Sequence, residues 1–130
     1  MITVEVVLGQ RGNLLSAAAS GHAGKGLPGA DIVCAAVTVL LRTTLAVLAG
    51  RERERGVEAT VSTPERQSFL AVKAETAGRG QLAFRVTAFS ETDIPFLEYA
   101  AVFLQEGLGS LAREYPDAVA MRVTRKDLID

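Results

Sequence analysis

The sequence contains few of the residues on which many enzymes depend. Its 130 residues include one cysteine, one histidine and no tryptophan. A lone cysteine excludes a disulfide within the chain and any cysteine-rich metal site, and it favours a reducing cytoplasm as the compartment. A lone histidine excludes zinc sites of the three-histidine or HExxH kind. We therefore expect neither a metal nor any other cofactor, and any catalysis must rest on few side chains.

The chain also has no large excess of positive or negative charge. Fourteen Lys and Arg residues against 15 Asp and Glu give a formal net charge of −1, whereas binders of nucleic acid or anionic membranes normally carry a basic excess. The start of the chain alternates and includes Glu5, unlike a signal peptide. The apolar run 32–50 carries Arg42 near its centre, which costs about 2.5–3.5 kcal/mol on insertion scales. We expect a helix buried within a soluble domain, without direct contact to nucleic acid or membrane.

The hydrophobic pattern predicts a single α+β domain. The length suits one domain with a real core. Val-rich runs of period two predict strands, and helical spacing of apolar residues predicts two long helices. Because the strands follow one another through short turns, we expect a mainly antiparallel sheet of hairpins packed with the two helices. The predicted strands are 2–8, 14–20, 57–62, 68–75, 81–89 and 118–124, and the predicted helices are 31–50 and 92–115.

The first predicted helix has clear end signals. Asp31 is a good N-cap residue and Gly50 a plausible C′ residue. Apolar residues cover nearly the whole circumference between them, which predicts a helix covered on most sides. The alternating charges of 51–55 then predict a solvated helix end or connector.

The segment before this helix is rich in glycine. Residues 21–30 hold four glycines and predict a mobile loop. The stretch from Gly24 to Gly29 reads G-x-G-x-x-G, but the parallel βαβ unit and the acidic residue of a dinucleotide fold are missing. A phosphate loop is excluded because its first glycine and its Ser/Thr hydroxyl are absent. A connector without chemistry stays open as an alternative.

The single cysteine and the single histidine flank this segment. Counted from Asp31 as N-cap, Cys34 falls at N3, where free backbone N–H groups and the helix dipole favour a thiolate. His22 stands at the end of the preceding strand, from which an imidazole can reach the helix start and act as a base. The alternatives are a small buried hydrophobic residue for Cys34 and a solvated or backbone-bonded side chain for His22.

Two polar neighbours have open roles. The carboxylate of Asp31 can cap the helix, or it can point toward His22 and orient the imidazole as the third member of a triad does. Thr38 lies one turn after Cys34 on the same helix face, so its hydroxyl can contact the site or bond back to a carbonyl.

The residues around this pair resemble a known family. Gly21-His22-Ala23-Gly24, then Gly29, then the run 31–38 (Asp-Ile-Val-Cys-Ala-Ala-Val-Thr) are similar to the signature of the Prp family, the bacterial ribosomal-processing cysteine proteases. The resemblance extends over most of the chain. It implies an α+β homodimer that removes a short N-terminal extension from a large-subunit ribosomal protein during ribosome assembly.

The resemblance also implies roles for individual residues. Cys34 is the expected nucleophile, His22 the general base and Asp31 a supporting acid. Lys25 stands where the family often has an aromatic residue, and Thr38 where Ser is usual, and these departures concern substrate preference more than catalysis. The expected substrate-binding residues are Gly21, Ala23, Gly24, Gly29 and Thr38.

Two other classes of function compete with the protease. A non-catalytic, ribosome-associated peptide-binding module can keep the same fold without the chemistry. A redox switch built on Cys34 is the weakest alternative, because the chain supplies no second cysteine to resolve it.

Overall fold

The computed structural model describes residues 1–22, 24, 29–54, 68–75 and 82–126. These residues form five strands, two long helices and one short 3₁₀ helix, Glu91–Asp93. The predicted strand 57–62 and most of the predicted loop 21–30 lie outside the described residues. In chain order, the elements are β1 (Ile2–Leu8), β2 (Leu14–Gly21), α1 (Ala30–Arg53), β3 (Ala71–Glu75), β4 (Leu82–Ala88), α2 (Ile94–Glu114) and β5 (Val119–Arg125).

The strands form one sheet in the order β3-β4-β2-β1-β5. All neighbouring pairs are antiparallel except β1 and β5, which run parallel. The α+β prediction with a mainly antiparallel sheet is therefore confirmed. The alternation read in β1 is also present in the structure, since Ile2, Val4, Val6 and Leu8 are all buried.

Both helices cover the buried side of the sheet and share one core with it. They run antiparallel, because the start of α1 lies against the end of α2 and the end of α1 against its start. Midway, a Cβ on Gly107 would come within 2.8 Å of Leu40, so glycine permits close helix contact there. The buried helix residues are Val33, Val37, Leu41, Thr44 and Leu48 in α1, and Ile94, Leu97, Ala101, Leu104, Leu108 and Gly109 in α2.

The limits of α1 differ from the prediction at both ends. Its N-cap is Gly29, with a left-handed φ of 78°, and Asp31 is the second helical residue. The N-cap prediction for Asp31 is therefore wrong, because a glycine with positive φ turns the chain into the helix two residues earlier. The helix also continues through Gly50 and ends at Arg53, since glycine in a packed helix lowers stability without ending it.

The prediction that α1 is covered on most sides is also wrong. One face of the helix packs in the core, whereas Ile32, Val39 and Val47 on the opposite face are 64%, 61% and 50% exposed. By length and composition α1 could span a membrane, with a mean hydropathy of 2.2. An apolar stripe on the outside of a helix that already packs in a core indicates instead a surface for further contacts.

The end of α1 is held by a buried ionic cluster. Nε of Arg51 lies 2.8 Å from Oδ1 of Asp93, whose side chain is 0% exposed. Asp93 also accepts hydrogen bonds from Ser68 Oγ and from the backbone N–H groups of Phe69 and Ser90. Burial alone would raise the pKa of Asp93, but these donors and Arg51 outweigh it and lower that pKa below its ordinary value. Arg51 is therefore a structural partner of α2 and not a solvated residue of the charge run.

Candidate active site

The predicted site residues lie where β2 ends and α1 begins. Gly21 is the last residue of β2 and has a φ of 92°. A Cβ at this position would overlap the carbonyl oxygen of Met1, so only glycine fits beside the start of β1. His22 follows with an exposed side chain, and its carbonyl oxygen accepts a 2.6 Å hydrogen bond from the N-terminal ammonium group of Met1. The histidine is thus fixed through its backbone while its imidazole is open to solvent.

The start of α1 is defined by Gly29. Its carbonyl oxygen accepts the first helical hydrogen bond, 2.9 Å from Val33 N. A Cβ on Gly29 would lie 2.9 Å from Cε1 of Tyr115, so the aromatic ring closes over the glycine. Gly24 is half-buried, and the predicted site residue Ala23 lies outside the described residues.

Cys34 is the fifth residue of α1, two positions further into the helix than predicted. Its side chain is half-buried and packs partly against the core. The N–H groups of the first helical turn, at Ala30, Asp31 and Ile32, precede the first bonded one at Val33. Helical side chains lean toward the N-terminus, so the thiol leans back toward this turn, whose N–H groups have no partner within the helix. The N3 prediction is wrong because it was counted from the wrong cap.

The two polar neighbours have different surroundings. Asp31 is exposed in the first turn of α1, where a negative charge interacts favourably with the helix dipole. Thr38 Oγ1 donates a 2.8 Å hydrogen bond to the carbonyl oxygen of Cys34. The second of the two alternatives for Thr38 is therefore the one observed, and its hydroxyl proton is used within the helix that carries Cys34.

The structure brings His22, Asp31 and Cys34 to one end of the molecule without joining them. Within the described ranges, no hydrogen bond or ion pair connects any two of these three side chains. Catalytic hydrogen bonds are often long in free enzymes and tighten when substrate binds. No group of three or more His, Cys, Asp and Glu side chains that could hold a metal ion occurs in the described part of the chain.

Nearly the whole chain matches one protein family. The family model, cysteine protease Prp, covers residues 1–120. The chain belongs to the Prp family of cysteine proteases. The resemblance read from the glycine, histidine and cysteine residues is thereby confirmed. A search of curated proteins gives no significant match.

Solved structures share the fold of this Prp family member. The S. aureus ribosomal processing protease Prp in complex with a substrate peptide is 18% identical, with 95% of this chain and 100% of that chain covered and a TM-score of 0.67. The same protease with a covalently linked product peptide is 19% identical, with the same coverage and a TM-score of 0.63. SMU.848 from Streptococcus mutans is 21% identical over 97% of this chain and 96% of that chain, with a TM-score of 0.66.

Sequence reasoning missed one residue of this region. Tyr115 is half-buried at the C-cap of α2 and packs on Gly29, although 86 positions separate the two in the chain. The only local signal is an aromatic residue at the predicted end of α2, directly before Pro116. No spacing rule connects that end to the start of α1.

Proposed function

We propose that the chain is a cysteine endopeptidase with Cys34 as nucleophile and His22 as general base. One observation carries the proposal. In a member of the Prp family of cysteine proteases, the only cysteine lies near the start of α1 and the only histidine at the adjoining end of β2. A half-buried thiol beside free backbone donors and an exposed imidazole are the groups that acyl transfer requires.

The proposed reaction has two steps. The thiol proton passes to His22, and the sulfur of Cys34 forms a bond to the scissile carbonyl carbon. The C–N bond then breaks, and the imidazolium donates its proton to the leaving amine. In the second step His22 takes a proton from water, whose oxygen attacks the thioester carbon. The C–S bond then breaks, the acid product leaves, and the imidazolium returns its proton to the sulfur of Cys34.

The oxyanion of each step needs donors that are already in place. The N–H groups of Ala30, Asp31 and Ile32 have no partner within the helix and point out of its start. We assign them to the oxyanion, because fixed backbone donors are worth about 100- to 1,000-fold each in rate. The carboxylate of Asp31 is exposed nearby, and we assign it the role of stabilising the imidazolium of His22.

The proposed substrate is the N-terminal extension of a large-subunit ribosomal protein precursor in the cytoplasm. The S. aureus relative supports this class, since it is a ribosomal processing protease bound to a substrate peptide. We propose that the peptide runs along the glycines of the site, where backbone groups are not covered by side chains. The proposed contacts are Gly21, Ala23, Gly24, Gly29 and, with its acceptor lone pairs only, Thr38.

The test is cleavage of an extended precursor peptide by purified protein. Wild type is expected to cut it at one site, whereas Cys34→Ser and His22→Ala lose at least about 1,000-fold in kcat/KM, as catalytic-group variants do. Thr43→Ala, an exposed change on the same helix, is the matched control and keeps wild-type activity. Full activity in either site variant would overturn the mechanism.

The alternative function is a peptide-binding module without catalysis. The absence of a hydrogen bond between His22 and Cys34 in the described structure favours it. Such a module would bind the precursor peptide without cutting it. Alkylation of Cys34 against pH also separates the two: a His-activated thiolate reacts well below pH ~8.5, whereas an ordinary thiol follows that value.

We also propose that the protein is a homodimer that pairs through its outer helix face, defined here as the exposed side of α1 and α2. The six large apolar side chains on it are each at least half exposed. Arg42 and Glu106 are also exposed on this face, so a two-fold arrangement can set opposite charges against each other. Light scattering should give a dimer for wild type and a monomer for Phe103→Glu. A monomeric wild type would overturn this proposal. The apolar residues are Ile32, Val39, Val47, Tyr99, Val102 and Phe103.

A further inference from the structure

A short path of hydrogen bonds to backbone carbonyls leads from His22 to the end of α2. The N-terminal ammonium group of Met1 donates to the His22 carbonyl at 2.6 Å. The next residue, Ile2, donates to the Ala118 carbonyl at 2.8 Å, and Ala118 N donates to the Tyr115 carbonyl at 3.0 Å. The segment that carries the proposed general base is therefore anchored on the backbone of Tyr115.

The side chain of the same tyrosine reaches the segment that carries the proposed nucleophile. Its ring packs over Gly29, the N-cap of α1, at a distance where a single added methyl group would collide. The carbonyl oxygen of Gly29 accepts the first helical hydrogen bond of α1 from the N–H group of Val33, which is the residue before Cys34. Tyr115 is thus connected to both halves of the site. Its ring contacts the start of α1, and its backbone carbonyl is linked to the end of β2 through Ala118 and the first two residues of the chain.

We propose that Tyr115 is a positioning residue of the peptidase, which holds the start of α1 and the end of β2 in one fixed relation. This inference rests on the proposed function. An aromatic ring suits the task because it is rigid, with two rotatable side-chain bonds, and because it presents a flat surface to a residue without a side chain. Displacements of about 1 Å between reacting groups cost on the order of 100-fold in rate.

The path through Tyr115 also explains why glycine is required at two positions of the site. Gly21 is required by the close approach of Met1, and Gly29 by the ring of Tyr115. Both glycines have positive φ and both lie beside a proposed catalytic residue. These two close contacts lie at the two ends of the path. They indicate that backbone packing sets the separation of His22 and Cys34, since no hydrogen bond joins these two side chains in the described structure.

The test compares Tyr115→Phe and Tyr115→Leu with Phe96→Leu in the full chain. Phe96 is the half-buried aromatic at the opposite end of α2, so its loss controls for stability without reaching the site. Tyr115→Leu is expected to lower kcat about 10- to 100-fold with KM nearly unchanged. Tyr115→Phe, which keeps the ring, and Phe96→Leu should retain wild-type kcat per folded molecule.

A double-mutant cycle with Gly29→Ala supplies a readout that a general loss of stability does not give. In the wild-type background the added methyl meets the ring of Tyr115, whereas in Tyr115→Leu it does not. The kcat losses of the two changes are therefore expected to be less than additive. If Tyr115→Leu fails to fold, Tyr115→Met replaces it, because methionine fills irregular space without a flat ring.

Each result decides the inference. Wild-type kcat in the folded Leu or Met variant, equal kcat losses in Tyr115→Leu and Phe96→Leu, or additive effects in the cycle would overturn the role of Tyr115 alone. Absence of any cleavage by the wild-type protein would overturn the proposed function and this inference with it.

Discussion

The two ends of the α1–α2 helix pair are held in opposite ways. At one end the buried carboxylate of Asp93 is bonded to Arg51, Ser68 and two backbone N–H groups. At the other, contact is made by the ring of Tyr115 on Gly29, and the nearby side chains of His22 and Cys34 share no bond in the described structure. The first end is saturated with partners, whereas the second keeps its polar groups open to a substrate.

This difference separates the residues that stabilise the fold from those of the candidate active site. No buried side-chain nitrogen or oxygen among the described residues lacks a hydrogen-bond partner. At the start of α1, by contrast, the N–H groups of the first turn have no partner within the helix. We therefore expect changes at the Asp93 end to alter stability with little effect on kcat, and changes at the Cys34 end to lower kcat with a smaller loss of stability.

The largest expected effect on stability comes from removing the carboxylate of the saturated end. Asp93→Ala removes the only carboxylate bonded to Arg51 in the described structure and leaves three other donors unbonded, so the free energy of unfolding should fall by about 3 kcal/mol. Denaturant unfolding measures this fall. The kcat of the folded fraction should stay at the wild-type value, and a selective loss of kcat without a loss of stability would contradict the division between the two ends.

A smaller loss of stability is expected at the open end. Gly29→Ala forces a side chain into a left-handed backbone conformation, which costs about 1–2 kcal/mol, and pushes against Tyr115. Unlike Asp93→Ala, it should also lower kcat.

Gly107→Ala is the matched control for that change. It adds a methyl group at the middle of the α1–α2 contact, against the flexible end of Leu40, with no positive φ to strain. Its kcat should be that of wild type. An equal loss of kcat in the two glycine variants would show that helix packing in general, and not the start of α1, controls the site.

The pH dependence of the free energy of unfolding is a further test of the difference between the two ends. Asp93 has a pKa lowered from its ordinary value of 3.8, so its ionised form stabilises the folded state. That contribution is complete above the unfolded value and is lost as the pH falls through the lower, folded value. Unfolding measured from neutral pH downward should show the advantage of wild type over Asp93→Asn shrinking below about pH 4. A constant difference across that range would contradict the role of Asp93.

The smallest effect is expected from Thr38. Thr38→Val removes the hydrogen bond to the Cys34 carbonyl, which contributes about 1 kcal/mol or less within a helix. Cleavage of the precursor peptide by this variant also tests whether Thr38 contacts the substrate. A KM unchanged from wild type would restrict Thr38 to the helix, whereas a raised KM would support the proposed contact with substrate.

The sequence predicted the parts of the fold that depend on local pattern. The alternation of β1, the helical spacing of α2 and the turn between β1 and β2 each follow from neighbouring residues, and the described structure contains all three. The family was also predicted from the sequence, because the glycine, histidine and cysteine residues that identify it are close together in the chain.

The features that the sequence did not predict depend on distant contacts. Asp31 has the side chain of an N-cap, but Gly29 takes that place because its backbone can turn under the ring of Tyr115. Arg51 reads as part of a solvated charge run, yet its partner Asp93 is 42 positions away. Helix propensity and capping rules contain no information on either contact.

The most direct test of the peptidase is to trap its covalent intermediate. Wild type and His22→Ala are mixed with the extended precursor peptide, quenched in acid within one turnover, and digested for mass spectrometry. We predict a thioester that joins the N-terminal fragment of the precursor to Cys34 in wild type, formed far more slowly in His22→Ala. Cleavage that proceeds in wild type with no adduct on Cys34, or with the adduct on another residue, would contradict the account.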